Sequence, residues 1–350
     1  MPNIHKSLDK IEHRQNLKNS LFLAGDIGGT KTSLALFSID SGALTPLAEA
    51  TYRSLDYPDL NAVIGDFLSK ANARVVFASF GVAGPVVDEK ATITNLPWSI
   101  EAQNIKNSFS FERVFLLNDL VAIGTAIPTL RPDDLMTLIP GKPKPGGTIS
   151  VIAPGTGLGE AYLTWDGQRY HPFASEGGHS DFAPKNNLEI NLLRYLQERF
   201  NHVSCERVCS GSGIPNIYNF LKDSGYAEEP EWLSGLLDRS DDPTPIIIKA
   251  ALDQLNPCGL CKQTLYTFVS ILGAEAGNLA LKVLSTGGVY LGGGIPPHIV
   301  PYLTSDSFEQ AFRHKGRLTK VLEHIPVYVI LNRKIALIGA AYYGMQIFTG

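Results

Sequence analysis

The sequence predicts an α/β protein built from two similar halves, and three observations carry that expectation. Apolar runs of strand length alternate with stretches of helical periodicity. A strand, a tip of Gly and Thr, and a returning strand occur twice, at Leu21–Phe37 and at Thr148–Thr164. The chain has 350 residues, of which 44% are hydrophobic and 18% charged, enough for two domains with a substantial buried core.

The remaining composition narrows the function classes. A net charge of −4 offers no electrostatic footprint for nucleic acid. Four cysteines in this length do not make a disulfide scaffold, and a reduced, cytoplasmic setting is expected. Residues 1–20 are polar, with Lys6, Lys10, Arg14 and Lys18 outnumbering Asp9 and Glu12. They read as an extension or short helix rather than a secretory signal, and are too short for a helix-turn-helix domain. Leu265–Leu284 is the most apolar helical stretch, but Glu275, Asn278 and Lys282 interrupt it, so no membrane span is expected.

In chain order, Leu21–Phe37 predicts a β-hairpin whose tip is built from Asp26, Gly28, Gly29, Thr30 and Lys31. Such a turn brings backbone close to a ligand and points successive N–H groups at an anion, and Asp26 could hold a hydrated metal ion through water. Glu49–Arg53 predicts a strand and Asp59–Ala71 an amphipathic helix, with Leu60, Val63, Ile64, Phe67 and Leu68 on one face. Arg74–Phe80 predicts a buried strand that breaks into the Gly81–Pro85 turn. Val114–Leu117 predicts another, with Asn118-Asp119 at its carboxyl end and a helix over Leu120–Ile127. In such alternating patterns ligands collect at the carboxyl ends of strands. Residues 128–147, rich in Pro and Gly, have the composition of a domain boundary.

The second half repeats the plan, with strand Thr148–Ala153, turn Pro154–Gly159 and strand Glu160–Thr164. Helices are predicted over Asn187–Phe200 and Gly211–Leu221, an irregular segment over 222–245, and a long helix, in one or two pieces, over Cys258–Leu284. Val289–Leu291 predicts a strand ending in Gly292–Gly294 and entering a helix at Pro296, Val327–Leu331 a strand, and Ala336–Met345 a last helix.

Three glycine clusters in strand context suit a nucleotide, with two tips for phosphates and Gly292–Gly294 near an adenosine. No Walker-type P-loop and no protein-kinase motif set is present. Asp119 could simply cap a helix, but a cap needs no Asn before it. Asn118-Asp119 can orient a hydroxyl and take its proton. Glu176 and His179, around a Gly-Gly turn, suit vicinal hydroxyls better than a metal. Glu206 reads as an ordinary helix-start glutamate, and Cys258-Gly-Leu-Cys261 as two cysteines at a helix start.

Leu21–Thr32, Asn118-Asp119, Ala153–Gly159, Glu176–Pro184, His202–Gly211 and Gly287–Pro296 together resemble the bacterial glucokinase family, within the hexokinase/actin/Hsp70-type ATPase superfamily. The resemblance runs from about Leu21 to the C-terminus. It implies a two-domain actin-like ATPase fold of ribonuclease H-like halves, with duplicated hairpin phosphate loops and an interdomain cleft. The expected division is a small α/β domain at 21–129 plus 331–350 and a large α+β domain at 130–330. It implies phosphorylation of glucose at the 6-hydroxyl by Mg-ATP, with domain closure, in a homodimer. By resemblance Asn95, Asn118, Asp119, Glu176, His179 and Glu206 contact the sugar, and Asp119 is the catalytic base. Gly25, Asp26, Ile27, Gly28, Gly29 and Thr30, with Gly155, Thr156 and Gly157, hold the ATP phosphates, and Gly292, Gly293 and Gly294 lie by the adenosine. Lys31 and Pro154 depart from the family pattern, and the zinc-binding Cys motif of the repressor/ORF/kinase branch is absent. Another hexose, or a sensor without catalysis, are the alternatives.

Overall fold

The computed structural model describes residues 21–40, 43–71, 74–93 and 96–349. Asn95 and the N-terminal extension therefore lie outside the described residues. The chain divides into two compact units, Met1–Leu130 with Arg333–Gly350, and Arg131–Asn332.

The first unit is organised on five strands in the order β3-β2-β1-β4-β8. Here β1 is Leu21–Ile27, β2 Lys31–Asp40, β3 Ala43–Arg53, β4 Val75–Val82 and β8 Arg113–Asn118. The first three form an antiparallel meander, and β4 and β8 join β1 in parallel. A parallel neighbour needs a crossover, and helix α1 (Leu60–Ala71) supplies the one between β3 and β4. Its buried face, Leu60, Val63, Ile64 and Phe67, is the stripe expected from the sequence. The predicted third strand is thus longer, and the predicted second hairpin arm is intact.

Between β4 and β8 the chain forms a small sheet of β5 (Val86–Val87), β6 (Lys90–Thr92) and β7 (Ser99–Glu101), then helix α2 (Ala102–Phe109). These elements are too short for periodicity to reveal. Helix α3 (Asp119–Ala126) follows β8 at once. On the other face of the sheet the C-terminal helix (Ile335–Thr349) packs with α3 against Phe22, Ala24, Phe77 and Leu117. The approach is so close that a Cβ on Gly339 would overlap the Ala122 carbonyl oxygen.

The second unit repeats this order. Its sheet runs β12-β11-β10-β13-β14-β9, with β10 (Ile149–Pro154), β11 (Leu158–Trp165) and β12 (Tyr170–Ser175) antiparallel, then β13 (Gly288–Leu291) and β14 (Val327–Ile330) parallel to β10. The sixth strand, β9 (Leu135–Ile139), comes from the Pro-rich segment expected to be only a boundary, and pairs antiparallel with β14. Turn residues flank β9 without displacing its apolar core.

The longer helices of the unit are α4 (Asn187–Gln197), α5 (Gly213–Asp223), α6 (Glu231–Leu237), α7 (Thr244–Leu252), α8 (Gly259–Val283) and α9 (Asp306–Arg313). The stretch 222–245 is not wholly irregular, because α6 lies inside it and α7 begins at its end. The long helix α8 is a single piece, its N-terminus capped by Cys258, whose Sγ accepts from the Cys261 N–H at 3.4 Å. Its buried side, including Leu265, Phe268, Leu272 and Leu279, forms the centre of the largest core cluster. The predicted helix at Pro296 is a single 3₁₀ turn, Pro296–His298.

Candidate active site

At the carboxyl edge of the first sheet the parallel strands β1, β4 and β8 end together, with Asp26 opposite Gly81 and Val82 opposite Asn118. Asp26 and Ile27 belong to the strand, so the tip is smaller than expected: Gly28, Gly29 and Thr30. Ser54, at the end of β3, fastens this tip. Its Oγ donates to the Gly28 carbonyl at 2.8 Å and its N–H to the Thr30 carbonyl at 3.0 Å, while the Gly28 N–H closes the turn on the Lys31 carbonyl at 2.9 Å. The Gly29 and Thr30 amides have no acceptor among the described residues, the state of a turn prepared for an anion. Gly25 and Ile27 are buried, and the space a Gly25 Cβ would need is taken by Phe80, Leu34 and Ile27. They reach the edge through backbone only. Lys31 is exposed beside the tip.

Asn118 caps α3, accepting from the Leu120 N–H at 2.9 Å and donating to the Gly84 carbonyl at 3.1 Å. It thereby ties the end of β8 to the Gly81–Pro85 turn. Asp119 Oδ1 also accepts from the Leu120 N–H, at 2.9 Å. A Cβ on Gly81 would stand 3.1 Å from Ala122 Cβ, so glycine there lets the start of α3 approach β4. The result is two carboxyl groups close enough to feel each other. Burial first, and the Asp119 charge second, push Asp26 up to about 7.

The carboxyl edge of the second sheet carries the Gly155-Thr156-Gly157 tip. The Gly155 N–H closes the turn on the Gly157 carbonyl at 2.9 Å, and the Gly155 carbonyl accepts from the Gly211 N–H at 2.7 Å. Where the first tip is held by a hydroxyl, this one is held by a carboxylate: Glu206 Oε2 accepts from the Leu158 N–H at 2.9 Å and fills the space beside Gly157. Glu206 is half-buried, and the structure distinguishes it from an ordinary helix-start glutamate.

The same strand end places the third group. Glu176 follows β12 and opens the 3₁₀ turn Gly177–His179, closed by the His179 N–H on the Glu176 carbonyl at 3.0 Å. Gly178 lies on the Leu158 carbonyl with no room for a side chain. Beyond the turn, Cys205 N–H donates to the Ser180 carbonyl at 2.8 Å, Asp181 pairs with Ser204, and His202 Nε2 meets Asp181 Oδ1 at 2.8 Å. These links fix the Glu206 turn against the Glu176–His179 turn, both of whose named side chains are exposed.

Next to the second tip lies a cavity of about 1030 Å³, lined by Gly155, Thr156, Ser212, Pro243, Ile248 and Gly294 among others. That volume is at the upper end of small-molecule sites. Gly293 (φ +81°) takes a left-handed conformation in which a Cβ would overlap the Pro154 carbonyl, and Gly292 donates to the Ile152 carbonyl at 2.9 Å, so the third glycine cluster is built onto β10. The structure thus brings Gly155, Thr156 and Gly294 to one cavity, and leaves Gly292 buried outside its wall. Sequence reasoning missed Ser54, and missed that residues 241–245 form part of this wall, with Thr244 Oγ1 donating to the Gly211 carbonyl at 2.7 Å. Neither carries a motif; each acts through a contact made only on folding.

Two sheets of one topology, each with a Gly-Thr hairpin tip at its carboxyl edge, define the actin-like ATPase fold as sugar kinases use it. The family description Glucokinase matches residues 23–347. A glucokinase of Nostoc punctiforme is 44% identical over 336 residues, covering 92% of this chain and 98% of the relative. The crystal structure of a glucokinase from an Antarctic psychrotroph superposes with a TM-score of 0.76 at 30% identity, covering 93% and 98% of the two chains. A Streptomyces griseus ROK family glucokinase in complex with glucose and AMPPNP shares the fold, with a TM-score of 0.65, 21% identity, and 93% and 100% coverage. The chain belongs to the glucokinase family, and it is an enzyme of that kind. Among the described residues, no helix is long and apolar enough to cross a membrane.

Proposed function

We propose that the protein transfers the γ-phosphoryl group of ATP to the 6-hydroxyl of D-glucose, giving glucose 6-phosphate and ADP. One observation carries the reading beyond family membership. The first residues of β11 hold the Gly155–Gly157 tip, the Glu206 carboxylate and the Glu176–His179 turn together, so a phosphate loop adjoins a cluster suited to hydroxyls.

Asp119 is the general base in this reading. It takes the proton from the 6-hydroxyl as the oxygen–phosphorus bond forms and the bond to the ADP oxygen breaks. Asn118 holds the α3 terminus in place and, with Glu176, His179 and the Glu206 oxygen not engaged by Leu158, meets the sugar hydroxyls; Asn95 is assigned to the same set. The amides at Gly29, Thr30, Thr156 and Gly157 receive phosphate oxygens, and the cavity beside Gly294 takes the adenosine. Mg²⁺, bound with the nucleotide, would neutralise phosphate charge. The raised, half-buried Asp26 beside Asp119 fits such a cation held through water, since a dication relieves the repulsion between the two carboxylates. A homodimer in the cytoplasm completes the reading.

A coupled ADP-release assay across glucose, fructose, mannose and glucosamine, with light scattering for the assembly, tests it. Glucose is expected to give the highest kcat/KM. A higher value on another hexose reassigns the substrate, and no turnover with any sugar overturns the reading.

A further inference from the structure

Beneath the Glu176–His179 turn lies a carboxyl group that this chemistry leaves unused. Glu160 stands on β11 directly opposite Ser175, the last residue of β12. It is 1% exposed, and its Oε1 has no hydrogen-bond partner among the described residues. Ser175 Oγ accepts from the Gly177 N–H at 3.0 Å, and a Cβ on Gly177 would overlap Glu160 Oε2. Glu160 and Ser175 together therefore form the floor on which the turn sits.

From the helical layer, the charge of Glu275 on α8 reaches Glu160. The Glu275 oxygens receive Asn278 Nδ2 at 3.0 Å and Lys282 Nζ at 3.4 Å. The Cys205 thiol, next to Glu206, also feels the charge of both glutamates. A buried acid with an unmet oxygen costs stability that an apolar side chain of the same size would not. Its place is explained instead by the shape and polarity it gives to the turn.

We propose that Glu160 is a positioning residue for sugar recognition: its side chain supports Gly177 from below and sets the height at which Glu176 and His179 are presented. The inference rests on the functional reading above. Binding groups misplaced by about an ångström lose on the order of a hundredfold in efficiency, so a floor residue with no ligand contact can govern affinity.

The test compares steady-state kinetics for glucose and ATP, and melting temperature, in wild type, Glu160→Ala, Glu160→Gln, Gly177→Ala and the Gly177→Ala/Glu160→Ala double variant. Glu160→Ala is expected to raise the KM for glucose by about tenfold or more while that for ATP moves less than about twofold, because only the turn is displaced. Glu160→Gln, of the same shape, is expected to recover most of the loss. Gly177→Ala should raise the glucose KM by a similar factor, and adding Glu160→Ala should give part of it back by opening the floor. An unchanged glucose KM in folded Glu160→Ala overturns the inference, as does an equal rise in both KM values with a lowered melting temperature. If Glu160→Ala does not fold, Gly177→Ala decides alone, and a wild-type glucose KM there overturns the inference. A wild-type protein inactive on every sugar instead overturns the functional reading, and the inference with it.

Discussion

The carboxyl edges of the two sheets have the same strand order and the same kind of tip, yet they are fastened by different chemistry. In the first unit a neutral hydroxyl, Ser54, pins the Gly28–Thr30 turn, and the acidic groups Asp26, near the end of β1, and Asp119, opening α3 after β8, interact across the end of β4. In the second, Glu206 pins β11 just past the Gly155–Gly157 turn and is itself locked to the segment after Glu176 and His179. The first edge therefore carries its Gly-Thr tip and Asp119 on separate elements. The second ties its Gly-Thr tip to Glu206 and the Glu176–His179 turn. Two sheets of one topology thus differ in which side chain satisfies one or two backbone groups at each tip.

The largest effect expected from breaking this comparison comes from Asp119. Glucose calorimetry on Asp119→Ala should give an affinity within about threefold of wild type, while kcat falls by about 10²–10⁴, as for removal of a general base. Asp119 shares the Leu120 N–H with Asn118, so the helix keeps a cap when Asp119 is truncated. Near-normal turnover would remove the base assignment and leave the first edge as a phosphate-binding element only.

A smaller, more diagnostic effect separates the two fastenings. Ser54→Ala deletes the hydrogen bond to Gly28, worth about 1 kcal/mol, together with the buried contact to Thr32 Oγ1 at 3.1 Å, and should raise the KM for ATP by about fivefold or more with glucose unaffected. Glu206→Ala leaves the buried Leu158 N–H unmet, at about 1–3 kcal/mol, and should raise the KM for both substrates. If Glu206→Ala moved only the glucose value, the tip and the hydroxyl cluster would be independent, and the contrast between the edges would fail.

Much of this plan is legible in the sequence because it rests on local chemistry. The repeated hairpins, the Asp26-Ile-Gly-Gly-Thr30 tip and the Asn118-Asp119 pair each declare themselves within a few residues. Alternation and helical periodicity then give the strands β1, β4, β8 and β10 and the helices α1 and α8. What remained hidden depends on contacts between distant segments. Nothing around Ser54 announces that it will meet Gly28, and Glu206 looks bland until Leu158 is beside it. β9 was masked by its Pro-rich flanks, and the β5–β7 sheet by strands of two or three residues. Glu160 reads in sequence only as a strand residue, because a lone acidic position on an alternating strand is ordinarily solvated.

The finest distinction between the edges is electrostatic. Each contains a carboxyl pushed up to about 7, Asp26 by burial and Asp119, Glu160 by burial and Glu275, but only Glu160 is sealed from solvent. For Glu160 the sign of the linkage is fixed. The folded chain holds the proton more tightly than the unfolded one, so stability is fully present below about 4.5 and is lost as pH rises towards 7. By pH 7.5 the cost is at most about 3 kcal/mol, reduced where Lys282 and relaxation screen the charge. Glu160→Gln cannot ionise and keeps a hydrogen-bond donor. Its melting temperature should match wild type near pH 4 and exceed it by about 2–4 °C at pH 7.5, read by calorimetry in the absence of ligands. A difference that is the same at both pH values would make Glu160 an ordinary packing residue, electrically no different from its surroundings, and the two edges would then differ only in how their tips are tied.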